Sequence, residues 1–339
     1  MARKRIFVIL KYLLFLGVGI GLLWYVSSKI DIRILLSQLK KAHYQWVVLS
    51  GAIALLSHLS RAARWNLLIR SLGYPTRLTT TFHATMIGYL SNMAIPRLGE
   101  ITRCGVLARK GKIPLQNLVG TVLVERGIDM LSFLLIIGIT VVVQLNQLEN
   151  FLGTHIWEPL QNKWAAQREH VWIYLVVLIV LAVLGILAMR WGIRKFRAHG
   201  GKYYFKFRRI LVGFMNGLRT IATMPGKGLF VMHTVFIWLC YFLMVYVCFF
   251  AMDATSHLGV GEGFTILTTG SLGILAPVPG GVGTYHTFVA YTLEELYNIS
   301  ADSSVSFAYL VHGTQYIVMA VTGGLSLLVI TLSYRKNAN

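Results

Sequence analysis

Long apolar runs separated by short polar stretches make up most of the chain. Six of these runs reach the length of about 20 residues that a membrane-spanning helix needs. They lie at 6–27, 45–69, 116–145, 170–190, 228–252 and 304–332. The longest polar stretch, 190–227, is too short to fold as a soluble domain. The pattern therefore predicts an all-α polytopic membrane protein with six transmembrane helices.

Two further apolar segments are interrupted by proline and glycine. The segments 79–94 and 264–276 are followed by breaks at 95–100 and 277–283, and then by shorter apolar stretches at 101–112 and 284–299. Proline removes a backbone donor and glycine disfavours the helix, so neither segment can form one continuous span. Interrupted backbone at membrane depth has to be covered by protein or water. We therefore expect two re-entrant hairpins whose tips face the protein interior.

The distribution of charge orients these segments. Cytoplasmic loops of membrane proteins collect Lys and Arg. When the basic N-terminus is placed inside, most of the 32 basic residues fall on the cytoplasmic side and most of the 12 acids fall outside. Both termini are then cytoplasmic. The basic residues of 30–41 would fall outside, and their helical alternation with apolar residues predicts an interfacial helix instead.

The same threading makes the two halves of the chain resemble each other, within a single membrane domain over 1–339. Residues 1–148 contain two spans, a hairpin that enters from the cytoplasm and a third span. Residues 170–339 contain two spans, a hairpin that enters from outside and a third span. Each element of the second half then runs opposite to its counterpart, which is an inverted repeat. In transporters, interrupted segments at matching positions of the two halves indicate a substrate site near the membrane midplane.

Composition supports a membrane protein and limits the choice of partner. Hydrophobic residues make up 56% of the chain and charged residues 13%, against about 25% charged in soluble domains. The net charge is +20, and the basic residues that produce it lie between apolar runs. We therefore predict no nucleic-acid partner. The basic stretch 190–227 is expected to contact the anionic lipid surface of the cytoplasmic leaflet. Cysteine and histidine spacings indicate no metal and no cofactor.

Ionisable residues within apolar segments concentrate in the first half of the chain. Seven polar residues lie at the first break and in the span after it: Asn92, Arg97, Glu100, Arg103, Glu125, Arg126 and Asp129. Glu125 and Asp129 are four residues apart and therefore share one helix face. Arg97 and Arg103 are their expected partners, because a guanidinium binds carboxylate or phosphate through two nitrogens. Arg126 points elsewhere, and we expect it to pair with Glu100.

This charged cluster has two interpretations. Arginines held in place by acids would receive an anionic headgroup, or the ion pairs would only pin the hairpin. The residues of the breaks are expected either to shape the cavity or to act as packing hinges: Pro96 and Gly99 in the first, and Pro277, Pro279, Gly280, Gly281 and Gly283 in the second. Arg61, Arg64 and Trp65, at the end of the second span, are expected to be interface anchors.

Three motifs in this order resemble the lysylphosphatidylglycerol synthase transmembrane-region family. They are Asn92-x-x-x-Pro96-Arg97-x-Gly99-Glu100-x-x-Arg103, Glu125-Arg126-x-x-Asp129 and Pro277-x-Pro279-Gly280-Gly281-x-Gly283. The resemblance implies a flippase-like domain of a bacterial or archaeal cytoplasmic membrane. In founding members this domain moves an aminoacylated phospholipid, which a separate cytoplasmic domain makes. The chain ends at Asn339, so we expect a stand-alone member without the synthase domain, together with a separate lipid-modifying enzyme.

The resemblance implies translocation of a phosphate-bearing lipid, anionic or aminoacylated, and no catalytic residue. Arg97 and Arg103 would contact the headgroup phosphate, and Glu100, Glu125 and Asp129 would position these arginines. Two alternatives remain. The first is an intramembrane lipid-phosphate hydrolase, which could use Thr284 and His286 after the second break. The second is a small-anion transporter or a membrane scaffold. The chain has no nucleotide-binding loop, so we expect passive or ion-coupled movement.

Overall fold

The computed structural model describes residues 17–25, 27–28, 31–145 and 226–336. In these residues the regular elements are helices, with no strand. After a helical stretch at 17–25 come nine α-helices: α1 (Ile32–Lys41), α2 (Tyr44–Ser71), α3 (Leu78–Ala94), α4 (Leu98–Gly111), α5 (Leu115–Val143), α6 (Lys227–Phe249), α7 (Val260–Leu275), α8 (Thr284–Tyr297) and α9 (Ala301–Lys336). The all-α prediction is confirmed for this part of the chain.

Four of these helices are long and apolar enough to cross a membrane, namely α2, α5, α6 and the part of α9 from Ala301 to Ser333. They coincide with the predicted spans 45–69, 116–145, 228–252 and 304–332. The predicted span 6–27 lies partly outside the described residues. The span 170–190 lies wholly outside them, as does nearly all of the basic stretch 190–227. The described helices are those of a multi-pass membrane protein.

The first break separates α3 from α4. Ile95 is extended and Arg97 adopts the left-handed conformation, with φ 65°. The chain then turns back, and α4 packs against α3 so closely that a Cβ added to Gly88 would lie 2.8 Å from the carbonyl oxygen of Gly99. The side chain of Asn92 closes the turn, because its Oδ1 accepts a hydrogen bond of 2.6 Å from the Gly99 N–H.

The second break separates α7 from α8 and contains a 3₁₀ turn at Pro279–Gly281. Gly280, Gly281 and Gly283 have φ of 56°, 73° and 83°, values that glycine adopts without the steric cost a side chain adds. The break is fixed to α7, because Thr284 Oγ1 donates a hydrogen bond of 2.6 Å to the Gly273 carbonyl. Proline and glycine therefore produce two interrupted helices at the predicted positions.

The same order of elements occurs twice in the described residues. A long helix, α2, is followed by the short pair α3 and α4 and by the long α5, and α6, α7, α8 and α9 repeat this order. The short helices have 14 to 17 residues, or about 21–26 Å at 1.5 Å per residue. This is less than the roughly 30 Å thickness of a bilayer core.

Each short pair packs into its own apolar core. In the first, residues of α2 to α5 surround the fully buried Trp65, and its other members include Ile69, Leu107 and Leu118. In the second, α6 to α9 meet around Phe249, Phe307 and Val311, all without exposed surface. Between helices in lipid, such side chains contribute chiefly through close van der Waals packing. Both breaks are therefore held by packed helices on either side.

Helix α1 forms where the sequence predicts an interfacial helix. Its N-cap is Asp31, whose carboxylate accepts a hydrogen bond of 2.8 Å from the Arg33 N–H. Ile32 and Ile34 are exposed, whereas Leu35 is buried. Lys40 and Lys41 occupy the last turn, where cations interact favourably with the helix dipole. The helix is amphipathic, as its sequence indicates.

Candidate functional site

Helix α5 presents two carboxylates to α2. The Glu125 side chain is fully buried and that of Asp129 is 14% exposed. The Nη2 atom of Arg61 donates to both, at 2.8 Å to Glu125 Oε1 and 2.9 Å to Asp129 Oδ2. One guanidinium nitrogen therefore bridges two acids one helical turn apart, as their spacing on one face allows.

A second arginine of α2 completes this contact and extends it to α6. Arg64 lies one turn after Arg61, and its Nη2 donates to Asp129 Oδ1 at 2.7 Å. Its Nη1 reaches Thr234 Oγ1 on α6 at 3.2 Å, and Arg61 Nη1 donates to the hydroxyl of Tyr241, also on α6, at 2.7 Å. The charged network thus joins α2, α5 and α6.

Helix α4 contributes a third buried arginine. Arg103 Nη2 lies 3.1 Å from Glu125 Oε2, and the guanidinium stacks over the ring of Trp65, 4.5 Å from its centroid. The indole of Trp65 donates in turn to Thr121 Oγ1 at 2.8 Å. Since Arg103 is 4% exposed and Trp65 is fully buried, these contacts tie the first break to α2 and α5.

Arg126 differs from the other three arginines. Its side chain is 42% exposed, and its nearest acid atoms, on Glu100, Asp129 and Glu125, lie at 3.7, 3.8 and 3.9 Å. An N–H···O hydrogen bond needs about 2.7–3.2 Å. Among the described residues, Arg126 is therefore attracted to these acids by charge alone. Its N–H groups remain available for stronger hydrogen bonds. The expected proximity of Arg126 and Glu100 is present in the structure.

A cavity of about 560 Å³ lies beside Arg126, within the size range of small-molecule sites. Asn92 and Glu100 of the first interrupted segment and Gly280 of the second line the same cavity. Most of the wall is apolar, formed by residues such as Met93, Met130, Phe133, Trp238, Met244 and Met319. The two breaks therefore share one cavity, which the charged side chains of Arg61, Glu100, Arg126 and Asp129 line together with apolar side chains.

Histidines hold the second break against this cavity. His312 of α9 lines the cavity, and its Nε2 lies 3.1 Å from the Gly280 carbonyl. The Tyr285 ring stacks on His312 with centroids 4.6 Å apart. His286 Nδ1 accepts from the Gly283 N–H at 3.3 Å. Within the described residues, no group of three or more His, Cys, Asp or Glu side chains is placed to hold a metal ion.

The structure brings together most of the predicted site and changes the partners of its acids. Glu125 and Asp129 contact Arg61 and Arg64, whereas Arg97 is exposed at the tip of the first break and forms no ion pair with another described residue. The expected pairing of Arg97 with these acids is therefore corrected. Arg97 stands exposed at the turn between α3 and α4, whereas the acids face the interior from α5 and are paired with the arginines of α2.

Other predicted residues take positions that the sequence did not indicate. Arg64 and Trp65 are fully buried and serve as network members, unlike exposed interface anchors. Arg61, expected to be an interface anchor, is also buried and paired with both acids. Its place inside the predicted span 45–69 is the signal for such a role, because an ionisable group there is costly unless paired. Of the glycines and prolines at the breaks, Gly280 lines the cavity. The others shape the turns: Pro96, Gly99, Pro277, Pro279, Gly281 and Gly283.

Comparisons with known proteins find a matching family model and two similar proteins. The family model described as "Lysylphosphatidylglycerol synthase TM region" matches residues 8–323. The chain is 23% identical to the UPF0104 membrane protein MJ1595 of Methanocaldococcus jannaschii, over 97% of the chain and 95% of that protein. It is also 23% identical to Glycosyltransferase AglD of Haloferax volcanii, over 90% of the chain and 52% of that protein. No solved structure matches the chain significantly.

Proposed function

The chain belongs to the lysylphosphatidylglycerol synthase transmembrane-region family, and we propose that it moves a phosphate-bearing lipid between the two leaflets of its membrane. The observation that carries the proposal is the half-exposed guanidinium of Arg126 beside a cavity that both breaks line. A guanidinium whose donors are only loosely engaged suits a phosphate, which it can bind through two parallel hydrogen bonds.

The proposal includes a membrane topology with six spans and two opposed re-entrant hairpins. The recurring order of one long helix, two short helices and another long helix supports an inverted repeat. Short helices on both sides of each break fit re-entrant segments better than spans. In this topology both termini are cytoplasmic, and the cavity between the breaks lies near the membrane midplane, where transporters of this type bind substrate.

In the proposed mechanism the headgroup enters the cavity while the acyl or isoprenoid chains stay in the lipid. A phosphate would draw Arg126 away from Glu100, which it approaches only to 3.7 Å. Arg61, Arg64 and Arg103 keep Glu125 and Asp129 neutralised, so these acids do not repel the phosphate. The energy barrier for a headgroup to cross the bilayer falls because charge is paired inside the protein.

This assignment revises the role of the predicted phosphate ligands. Arg103 is buried, paired with Glu125 and stacked on Trp65, so it acts as a positioning residue for the acid. Arg97 lies at the turn and is not among the residues that line the cavity. We propose Arg126 as the headgroup ligand, and Asn92 and Glu100 as neighbours that limit where the headgroup can sit.

The geometry of the second break favours transport over hydrolysis. Thr284 Oγ1 donates to the Gly273 carbonyl, and His286 Nδ1 accepts from the Gly283 N–H. Both side chains thus stabilise the turn, and they do not form the nucleophile and base pair that a hydrolase needs. The match to AglD covers about half of that protein, and we propose that the shared part is its membrane part and that a separate enzyme modifies the lipid.

The experiment is leaflet exchange in reconstituted liposomes with a phosphatidylglycerol labelled on its acyl chain. We expect the wild-type protein to accelerate exchange, and we expect Arg126→Gln to lower that rate at least tenfold. Arg109→Gln, at an exposed arginine at the end of α4, is the control and should keep the wild-type rate. Exchange no faster than in protein-free liposomes would refute translocation, and an unchanged rate for Arg126→Gln would refute its role.

A further inference from the structure

The cavity reaches the surface of the described part of the chain between α5 and α7. Most of the residues that line it are buried or half-buried. The exceptions are four exposed residues, Arg126 and Met130 on α5 and Ile274 and Leu275 at the end of α7. Met130, Ile274 and Leu275 are 54%, 46% and 56% exposed. A residue that lines a cavity and is also exposed stands at its edge, so these four residues mark an opening.

The contacts between α5 and α7 place this opening beyond their closely packed part. Thr140 Oγ1 and Thr268 Oγ1 lie 2.8 Å apart, and a Cβ added to Gly261 would lie 2.9 Å from Gln144 Nε2. Going back along α5 from Gln144 to Thr140 thus corresponds to going forward along α7 from Gly261 to Thr268, so the two helices are antiparallel. Continued in the same direction, α5 reaches Met130 where α7 reaches its end.

The opening has a charged inner side and an apolar rim. Arg126 and Met130 are four residues apart and share one face of α5, and Arg126 approaches Glu100 and Asp129, which also line the cavity. The other three residues of the opening carry no charged group. A phospholipid has the same order, with a phosphate at one end and apolar chains at the other. An anion without apolar chains would gain nothing from the apolar rim.

The opening lies at the depth of the hydrocarbon in the proposed topology. Met130 is near the middle of α5, which extends from Leu115 to Val143. A helix of this length crosses the bilayer core, so its middle faces lipid chains and not the water on either side. A bound lipid can therefore keep its chains in the membrane while its phosphate lies beside Arg126. The flexible side chain of Met130 can adapt to chains of different shape.

We propose that this opening is the portal through which the apolar chains of the bound lipid leave the cavity and enter the surrounding membrane. The inference rests on the proposed function and adds a site for the chains to the site for the phosphate. The chains lie between Met130 on one side and Ile274 and Leu275 on the other. They stay there while the headgroup moves past Arg126 from one leaflet to the other, so exchange requires an open portal.

Tryptophan at the rim tests whether exchange needs an open portal. Met130→Trp and Leu275→Trp place a larger side chain in the opening, and we expect each to slow the exchange of acyl-labelled phosphatidylglycerol by about tenfold. The matched controls are Leu135→Trp on α5 and Leu272→Trp on α7, because both leucines are exposed and neither lines the cavity. The controls should stay within about twofold of the wild-type rate. All four variants should melt near the wild-type temperature, since each replaces an exposed side chain.

Photo-cross-linking locates the chains without relying on translocation. The probe is a phosphatidylglycerol with a diazirine in one acyl chain, and mass spectrometry maps its adducts in wild type and in Arg126→Gln. Adducts at Met130 and Leu275 should fall about fivefold in Arg126→Gln, because the phosphate no longer holds the chains there. Adducts at Leu135 should not change, because this residue faces lipid that the site does not bind. A diacylglycerol with the same diazirine chain lacks the phosphate, so its adducts at the opening should not depend on Arg126.

The outcomes separate the portal from the function on which it rests. Equal phosphatidylglycerol adducts at the opening with and without Arg126 would show contact with bulk lipid only and would overturn the portal, even where translocation is fast. Exchange at the wild-type rate by both Met130→Trp and Leu275→Trp would overturn it as well. Exchange by wild type at the protein-free rate would refute translocation, and Arg126-dependent adducts would then keep the opening as part of a lipid-binding site.

Discussion

The Nη2 atom of Arg61 lies 2.8 Å from Glu125 Oε1, in an ion pair whose two side chains are 6% and 0% exposed. A buried pair of this kind contributes little net stability, because desolvation of both charges offsets their attraction. Loss of Glu125, in contrast, removes the acid that Arg103 contacts and leaves three buried arginines facing Asp129 alone. The pair therefore fixes how α2 meets α5 and places the acids beside the cavity in a neutralised state.

We predict that Glu125→Gln destabilises the protein by about 3–5 kcal/mol, the range for removing one member of a buried ion pair. The loss leaves the buried Arg103 without an acid among the described residues, while Arg61 keeps only Asp129, which it shares with Arg64. A neutral amide cannot replace the lost charge. The measurement is the apparent melting temperature of the purified protein in detergent. Glu100→Gln is the matched control, because Glu100 is partly exposed and has one loose pair. It should cost less than about 1 kcal/mol. Equal melting temperatures for both variants would contradict this prediction.

A second prediction concerns the shape of the Arg61 side chain. Its two terminal nitrogens contact Tyr241 through Nη1 and both acids through Nη2. Lysine keeps the charge but has one nitrogen and no planar fork. We expect Arg61→Lys to lower stability by about 1–3 kcal/mol, through lost hydrogen bonds to charged groups.

The comparison for this prediction is Arg126→Lys, whose arginine makes only loose contacts. That variant should retain wild-type stability within about 0.5 kcal/mol, while lipid exchange falls because the two-nitrogen contact to phosphate is lost. Thermal unfolding and leaflet exchange measured on the same preparations separate the two effects. If Arg61→Lys is as stable as wild type, the fork geometry is not what holds α2 to α5.

The interrupted helices and the shared face of Glu125 and Asp129 could be predicted because they depend on neighbours in the sequence. Proline and glycine stop a helix wherever they stand, and a spacing of four places two residues on one face. The partners of these acids depend instead on how α2 packs against α5, a contact between residues 64 to 68 positions apart. Nothing local favours Arg61 over Arg97, which is nearer in the sequence, so the sequence alone does not identify the partner.

The cavity illustrates the same division. That both breaks lie at matching positions of two halves could be predicted from the apolar pattern. That Met93, Trp238 and Met319 close the wall around them could not, because these residues come from three helices distant in sequence. The proximity of Arg126 to Glu100 agrees with the expectation from the sequence. The exposure of Arg126 could not be predicted, because it depends on how the other three arginines occupy the acids in the folded structure.

Arg97 provides a third prediction, about the conformation of the first break. Its φ of 65° is the left-handed region, which costs a residue with a side chain about 1–3 kcal/mol. Glycine adopts it freely. We expect Arg97→Gly to be as stable as wild type or up to about 1 kcal/mol more stable. Arg97→Ala keeps the strain and should not gain stability. Melting temperatures of both variants test this.

The lipid-exchange activity of the same two variants tests the role of the Arg97 charge. Because Arg97 does not line the cavity, both variants should exchange phosphatidylglycerol within about twofold of wild type. If both variants exchange lipid tenfold more slowly than wild type, Arg97 is a headgroup ligand after all. A loss in Arg97→Gly alone would show that the rigid turn, and not the charge, is needed.

The last prediction concerns Gly280, where the second break meets α9. Its φ is 56°, and a Cβ at this position would collide with the Tyr316 hydroxyl. Gly280→Ala therefore combines an unfavourable backbone conformation with overpacking, and we expect it to cost about 2–4 kcal/mol. The cavity should be distorted as well, since Gly280 lines it and its carbonyl is bound by His312. We therefore expect Gly280→Ala to have a lower melting temperature and slower lipid exchange than wild type.

Gly313 is the matched control for Gly280. It lies within α9, and a Cβ added there would meet no atom within 4 Å. Gly313→Ala should therefore be neutral or raise stability by about 0.5–1 kcal/mol, through a higher helix propensity. Gly280→Ala combined with Tyr316→Phe removes the hydroxyl from the collision, while the contact of 2.5 Å to the ring carbon Cζ and the unfavourable φ remain. The double variant should therefore recover only a small part of the lost stability. If Gly280→Ala alone matches wild type in both measurements, the second break does not need glycine at its tip, and its backbone does not form the cavity wall in the way the structure indicates.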